Sequence, residues 1–166
     1  MIKIRPFLNT DPPALAEVIN RCCKIESLVS ASLLEHAVFS KICFTHDRLL
    51  IATDSQRLVG FVHLGSATSD NPESSTLTIS NLLFDEGDVP TAIALVEAAS
   101  SFARNKGFSA LRIGSSPENA EYYNGISSHF LNVGVPDFHH VLPILNRIGF
   151  KELTAWICYQ CDPDTV

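Results

Sequence analysis

The sequence predicts a single α/β domain in which helices cover both faces of a central sheet. Three observations lead there. Short β-branched runs alternate polar and apolar residues, as in Thr76-Leu77-Thr78-Ile79-Ser80, the pattern of a strand with two different faces. From Pro90 to Lys106, Ile93, Val96, Ala99 and Phe102-Ala103 recur at helical spacing. The chain has 166 residues, 46% of them hydrophobic and 18% charged, which is enough apolar surface for one buried core.

The elements follow in order. Ile2 and Ile4 before Pro6 predict a first strand. Asp11 ahead of Pro12 and Pro13 predicts a helix start, with an acceptor side chain for free amides and prolines where no donor is needed. Leu15, Val18 and Ile19 carry that helix to about Cys23, and a second helical stretch covers Leu28–Val38. Arg48–Ala52 and Leu58–Leu64 flank the polar turn Thr53-Asp54-Ser55-Gln56 and predict a hairpin. Residues 66–75 read as an exposed loop. The strand Thr76–Phe84 leads through an acidic turn, Asp85–Asp88, into the long helix, and Gly107 follows as its C-cap. Ala110–Ile113 is a short strand. The stretch Gly114–Val135 shows no periodicity, and segments of that length usually carry function or hide short elements. Pro136-Asp137 opens a helix over Phe138–Arg147, ended by Gly149, and Lys151–Gln160 is a last strand. The order is β-αα-βββ-α-β-α-β.

Several function classes are set aside. A formal charge of −6 argues against nucleic acid as a partner, because phosphate neutralisation needs a basic surface. No run approaches the ~20 apolar residues that cross a bilayer, so no membrane association is expected and a cytoplasmic location is the default. The five cysteines read as structural thiols: Cys22 and Cys23 are adjacent, Cys43 is alone, and Cys158 and Cys161 lie on opposite faces of a strand. His139 and His140 point about 100° apart on a helix and do not share one ion, so no metal is expected. No nucleophile elbow, P-loop lysine or dinucleotide fingerprint occurs.

Four local patterns carry a resemblance. Ile4-Arg5-Pro6 precedes a helix at Asp11; Leu50-Ile51-Ala52 pairs with Leu58-Val59-Gly60-Phe61; Asn81–Phe108 forms strand, turn and long helix; Leu142–Phe150 ends in Gly-Phe. Together they resemble the GNAT superfamily of acyl-CoA N-acyltransferases. The resemblance implies a single GNAT-like domain over residues 1–166, with a mixed, mostly antiparallel sheet. It also implies acetyl-CoA as acyl donor and a small amine or an N-terminal amine as acceptor.

The resemblance implies, too, that backbone groups of Leu82, Leu83 and Phe84 face the pantetheine arm, and that Val89, Thr91 and Ala92 lie at the diphosphate, with the Thr91 and Ala92 amides holding it. A helix N-terminus offers such amides and a favourable dipole. The family's basic and glycine positions in that turn fall here on Gly87 and Pro90, leaving Ala92 as the one compatible residue. Asp85, Glu86 and Asp88 add negative charge, and Asp88 also reads as an ordinary N-cap. The family's central-strand carboxylate is replaced by Thr78, Ser80 and Asn81, and its helix tyrosine by Leu145.

Tyr122 and Tyr123 are candidate substitutes for the missing acid or for lining an acceptor pocket, although aromatic packing is their commoner use. His63 is a candidate base with a pKa near neutrality, or else a surface or edge residue. Glu26 lies where family members shape the acceptor site. The alternative function is a catalytically inactive GNAT-like module that binds a ligand or a protein. A homodimer formed along the strand Ala155–Gln160 is also an expectation.

Overall fold

The computed structural model describes residues 1–23, 28–65, 76–114 and 141–152. The sheet consists of β1 (Lys3–Pro6), β2 (Leu49–Asp54), β3 (Arg57–Leu64), β4 (Thr76–Phe84) and β5 (Ala110–Ile113), side by side in chain order. The first three pairings are antiparallel, and β4 with β5 is parallel. The sheet is therefore mixed and mostly antiparallel. The helices are α1 (Pro12–Cys23), α2 (Ala31–Leu34), α3 (Val89–Asn105) and α4 (Val141–Ile148). Among the described residues no helix is long and apolar enough to cross a membrane.

Two apolar layers sandwich the sheet. On one face Leu15, Val18 and Ile19 of α1 meet Leu49, Ile51, Phe61 and Leu83. On the other, Ala92, Leu95, Val96 and Ala99 of α3, with Val141 and Leu145 of α4, meet Val62, Leu64, Leu77 and Phe84. The two faces are what strand alternation demands once both sides are covered.

The β2–β3 hairpin closes in two residues, Ser55 and Gln56, with φ of 49° and 72°. Two left-handed residues give the turn twist that matches the strands, here without glycine. Both long-helix stops follow the predicted glycines. Gly107 (φ 83°) donates to the Arg104 carbonyl while Phe108 reaches back to Ala103; Gly149 (φ 104°) and Phe150 do the same to Asn146 and Leu145. Each is a Schellman ending that satisfies the last carbonyls.

Two expectations change. The second helix begins at Ala31, where the Ser30 side chain accepts the Leu33 amide, and widens into a π-turn at Glu35–Phe39. Asp11 precedes α1, but its carboxylate turns away from the helix. It accepts two bonds from the Arg5 guanidinium and one from the Leu8 amide, all at 2.7 Å. Burial by itself raises the Asp11 carboxyl; the Arg5 and Leu8 hydrogen bonds overcome this and hold it below its ordinary value. The prolines, by lacking amide hydrogens, leave α1 with fewer donors to cap. Asp11→Ala is expected to cost about 2–3 kcal/mol, because Arg5 and the Leu8 amide lose their acceptor. Thermal unfolding should show a fall of about 5–10 °C.

The 66–75 loop, Glu26, Tyr122, Tyr123, His139, His140, Cys158, Cys161 and the strand expected at Ala155–Gln160 lie outside the described residues.

Candidate active site

β4 positions the site. Thr76–Ile79 lie parallel to Ala110–Ile113, and the Gly114 amide adds one more bond to the Ile79 carbonyl at 3.2 Å. Among the described residues the β5 ladder stops there, while β4 continues along β3 to Phe84. Leu82, Leu83 and Phe84, the expected arm-binding residues, lie in this overhang. Their side chains are buried in the two cores, so what they can offer a ligand is backbone.

A bulge marks the change. His63 pairs with Asn81 but Leu64 pairs with Ile79, leaving Ser80 as the extra residue. Parity then switches: Leu77 and Ile79 face α3 before it, Leu82 and Phe84 after it. Bulges re-aim side chains in this way, often beside functional sites. Ser80 Oγ is buried and has no hydrogen-bond partner among the described residues. It lies against Gly65, where an added Cβ would stand 2.6 Å from it. Sequence reading passed over Ser80 as a site residue. The signal was the polar pair Ser80-Asn81, which breaks the alternation of the strand.

His63 does not occupy the exposed position expected of it. It is 0% exposed and stands edge-on to Phe44, ring centres 5.7 Å apart. Phe44 in turn joins Phe7, Phe39 and His46 in an aromatic cluster on the α1 side. Burial, then the nearby positive charges of Arg48 and Lys41, pushes the imidazole down to about 3. The expectation of a pKa near neutrality is thereby overturned: His63 is neutral at physiological pH and a weak base.

The N-terminus of α3 is closed by its own chain. The Asp88 amide donates to the Asp85 carbonyl at 3.0 Å and the Val89 amide to Gly87 at 2.9 Å. Asp88, at φ −81° and ψ 65°, is the centre of an inverse γ-turn. Pro90 has no amide hydrogen. The Thr91 amide reaches Asp88 Oδ1 at 3.2 Å and its hydroxyl reaches Oδ2 at 2.6 Å. The Ala92 amide bonds the Asp88 carbonyl at 3.2 Å. Arg21, at the end of α1, spends its Nε on Asp85 at 2.5 Å. Cys22 lies beside the same carboxylate, and burial followed by the Asp85 charge raises its thiol to about 12, which keeps it an inert thiol.

No family model matches the chain, and no curated protein matches it in sequence. Solved structures do match. An aminoglycoside acetyltransferase from an uncultured soil metagenomic sample, solved with sisomicin, superposes with a TM-score of 0.63 at 15% identity, covering 97% of both chains. The ribosomal-protein-S18-alanine N-acetyltransferase from Escherichia coli gives 0.60 at 14% identity, over 93% of this chain and 80% of that one. The fold is that of the GNAT N-acetyltransferases. N-acetylglutamate synthase from Neisseria gonorrhoeae, solved with coenzyme A and N-acetyl-glutamate, matches with a TM-score of 0.52 at 20% identity, over 70% of this chain and 26% of that one.

Within this GNAT fold the end of β4 and the start of α3 differ in what they leave open among the described residues. Along the β4 overhang, Leu82 and Leu83 pair with Val62 and Phe61 of β3. The α3 terminus does not fit a diphosphate, since the amides of residues 88, 89, 91 and 92 are all taken. Thr91 and Ala92, expected to hold phosphate, would first have to release Asp88.

Proposed function

We propose that the chain is an N-acyltransferase that takes an acyl thioester such as acetyl-CoA and acylates a small amine or an N-terminal amine. The observation that carries the reading is that, among the described residues, β4 runs past the end of β5 beside the bulge at Ser80. In such a reaction the amine nitrogen bonds the thioester carbonyl carbon, the C–S bond breaks, and the amine proton passes to the departing thiolate. His63 is too weak a base to take that proton. The amine therefore arrives in its free-base form, and the rate rises with pH through the pKa of the amine. Tyr122 and Tyr123 are the proposed proton donors to the thiolate.

Release of free thiol from acetyl-CoA, measured across a panel of amines, tests the proposal. Turnover is expected, falling about 100-fold or more in Tyr122→Phe or Tyr123→Phe, whichever residue is the acid. Absence of donor binding at millimolar concentration would sink it. The closed α3 terminus favours a second reading, a GNAT-like module that binds without turnover; ligand binding with no thiol release from any amine would select that one. Pairing of two copies through Ala155–Gln160 is proposed separately, and sedimentation analysis as a function of concentration decides it.

A further inference from the structure

We infer that this chain recognises its donor by the pantetheine arm alone, and that the nucleotide diphosphate gains nothing at the N-terminus of α3. The inference rests on the acyltransferase reading above and narrows it to one chemical class, acyl-pantetheine thioesters, whatever is attached at the far end of the arm.

A diphosphate at a helix start needs amide hydrogens without internal partners, and positive potential. Here the amides of Asp88, Val89, Thr91 and Ala92 are committed to Asp85, Gly87 and Asp88. The position between them, Pro90, has no amide hydrogen. The Asp88 carboxylate spans both Thr91 donors, amide and hydroxyl, and so occupies with its own negative charge the place an anion would take. Thr91 is 0% exposed, so its end of the cap is packed into the protein, while Asp88 is half-buried. The nearest cation on α1, Arg21, is already paired with Asp85.

Two further groups fix the arrangement. Gly60 of β3 lies beneath Thr91: a Cβ there would come within 3.1 Å of the Thr91 methyl and 2.7 Å of the Leu83 carbonyl. The start of α3 is thus seated directly on the sheet. Gly87, at φ 83°, provides the left-handed step that lets the Asp85–Asp88 turn close, a step disfavoured for other residues. A closed, seated and negatively charged helix start cannot discriminate in favour of a diphosphate. Among the described residues β5 pairs with β4 only as far as Ile79, short of the Leu82–Phe84 segment proposed for the arm. The donor's affinity should therefore be set by the arm.

The test compares coenzyme A with pantetheine by calorimetric titration, at low and moderate salt, on the whole chain. The expected result is dissociation constants within threefold of each other and little changed by salt. Coenzyme A binding more than tenfold tighter than pantetheine, with affinity that weakens as salt rises, would overturn the inference while leaving the acyltransferase reading in place. If neither compound binds at millimolar concentration, the acyltransferase reading falls and takes this inference with it. Asp88→Gly supplies the converse: glycine is tolerated at a helix start, and the change removes the charge and frees both Thr91 donors. It should tighten coenzyme A about fivefold or more and leave pantetheine within twofold. An unchanged ratio between the two ligands in a folded Asp88→Gly protein would remove α3 from the argument and overturn the inference as drawn.

Discussion

Gly60→Ala is expected to destabilise the protein by about 2–3 kcal/mol, the upper part of the range found when a methyl is forced into a filled interior. The added carbon would meet the Leu83 carbonyl at 2.7 Å, the Thr91 methyl at 3.1 Å and a Leu95 methyl at 3.2 Å. Side chains can turn aside by a few tenths of an ångström, but the carbonyl belongs to β4 and is fixed by the sheet. Relief has to come from lifting α3 or from spreading β3 and β4. Both moves disturb the same region, since Thr91 anchors the Asp88 cap. Urea unfolding checks the stability: a variant within about 0.5 kcal/mol of the parent would show that the contact relaxes freely.

The second large effect is a dependence of stability on pH. The His63 imidazole, with an ordinary value of 6.5, is held near 3 by burial and by the positive charges of Arg48 and Lys41. Well above pH 6.5 it is neutral in both folded and unfolded chains and contributes no pH dependence. Below that, the unfolded chain binds a proton that the folded chain excludes, so unfolding becomes easier as the pH falls toward 3. Between pH 7 and pH 5 the loss amounts to about 2 kcal/mol from this one residue. Removing the titrating group by His63→Gln should flatten the profile over that interval, whatever it does to the absolute stability. Parallel profiles for parent and variant in urea titrations at pH 7, 6 and 5 would refute the assignment. The Asp11 carboxyl, held below its ordinary value, adds its own loss only at lower pH, below the ordinary carboxylate value.

The strands and the long helix were legible because their signals are local. Alternation in Thr76–Ser80 and spacing in Ile93–Ala103 depend on nothing beyond their own neighbours, and Gly107 and Gly149 marked the stops where the left-handed caps occur. His63 was misread for the opposite reason. A polar residue in an alternating strand looks exposed unless one knows what lies above it, and Phe44 comes from a segment some twenty residues earlier in the chain. Asp11 was correctly placed before a helix, but Arg5, six residues upstream on β1, draws its carboxylate away. At the α3 turn the sequence revealed which family residues are replaced. It could not reveal that Asp88 would form a γ-turn and engage Thr91 through both carboxylate oxygens, because that depends on backbone angles set by Gly87 and by the seating of the helix.

The extra residue in β4 has a bearing on how this strand can be compared with any other. Up to Ile79 the odd-numbered positions turn toward α3, and beyond Ser80 the even-numbered ones do. Position-by-position matching that slides through residue 80 without a gap therefore equates inward side chains with outward ones along half the strand. Relatives whose strand lacks the inserted residue, or carries it elsewhere, can share every contact and still disagree at every letter. For this strand, counting from each end toward the bulge is the numbering that preserves chemistry.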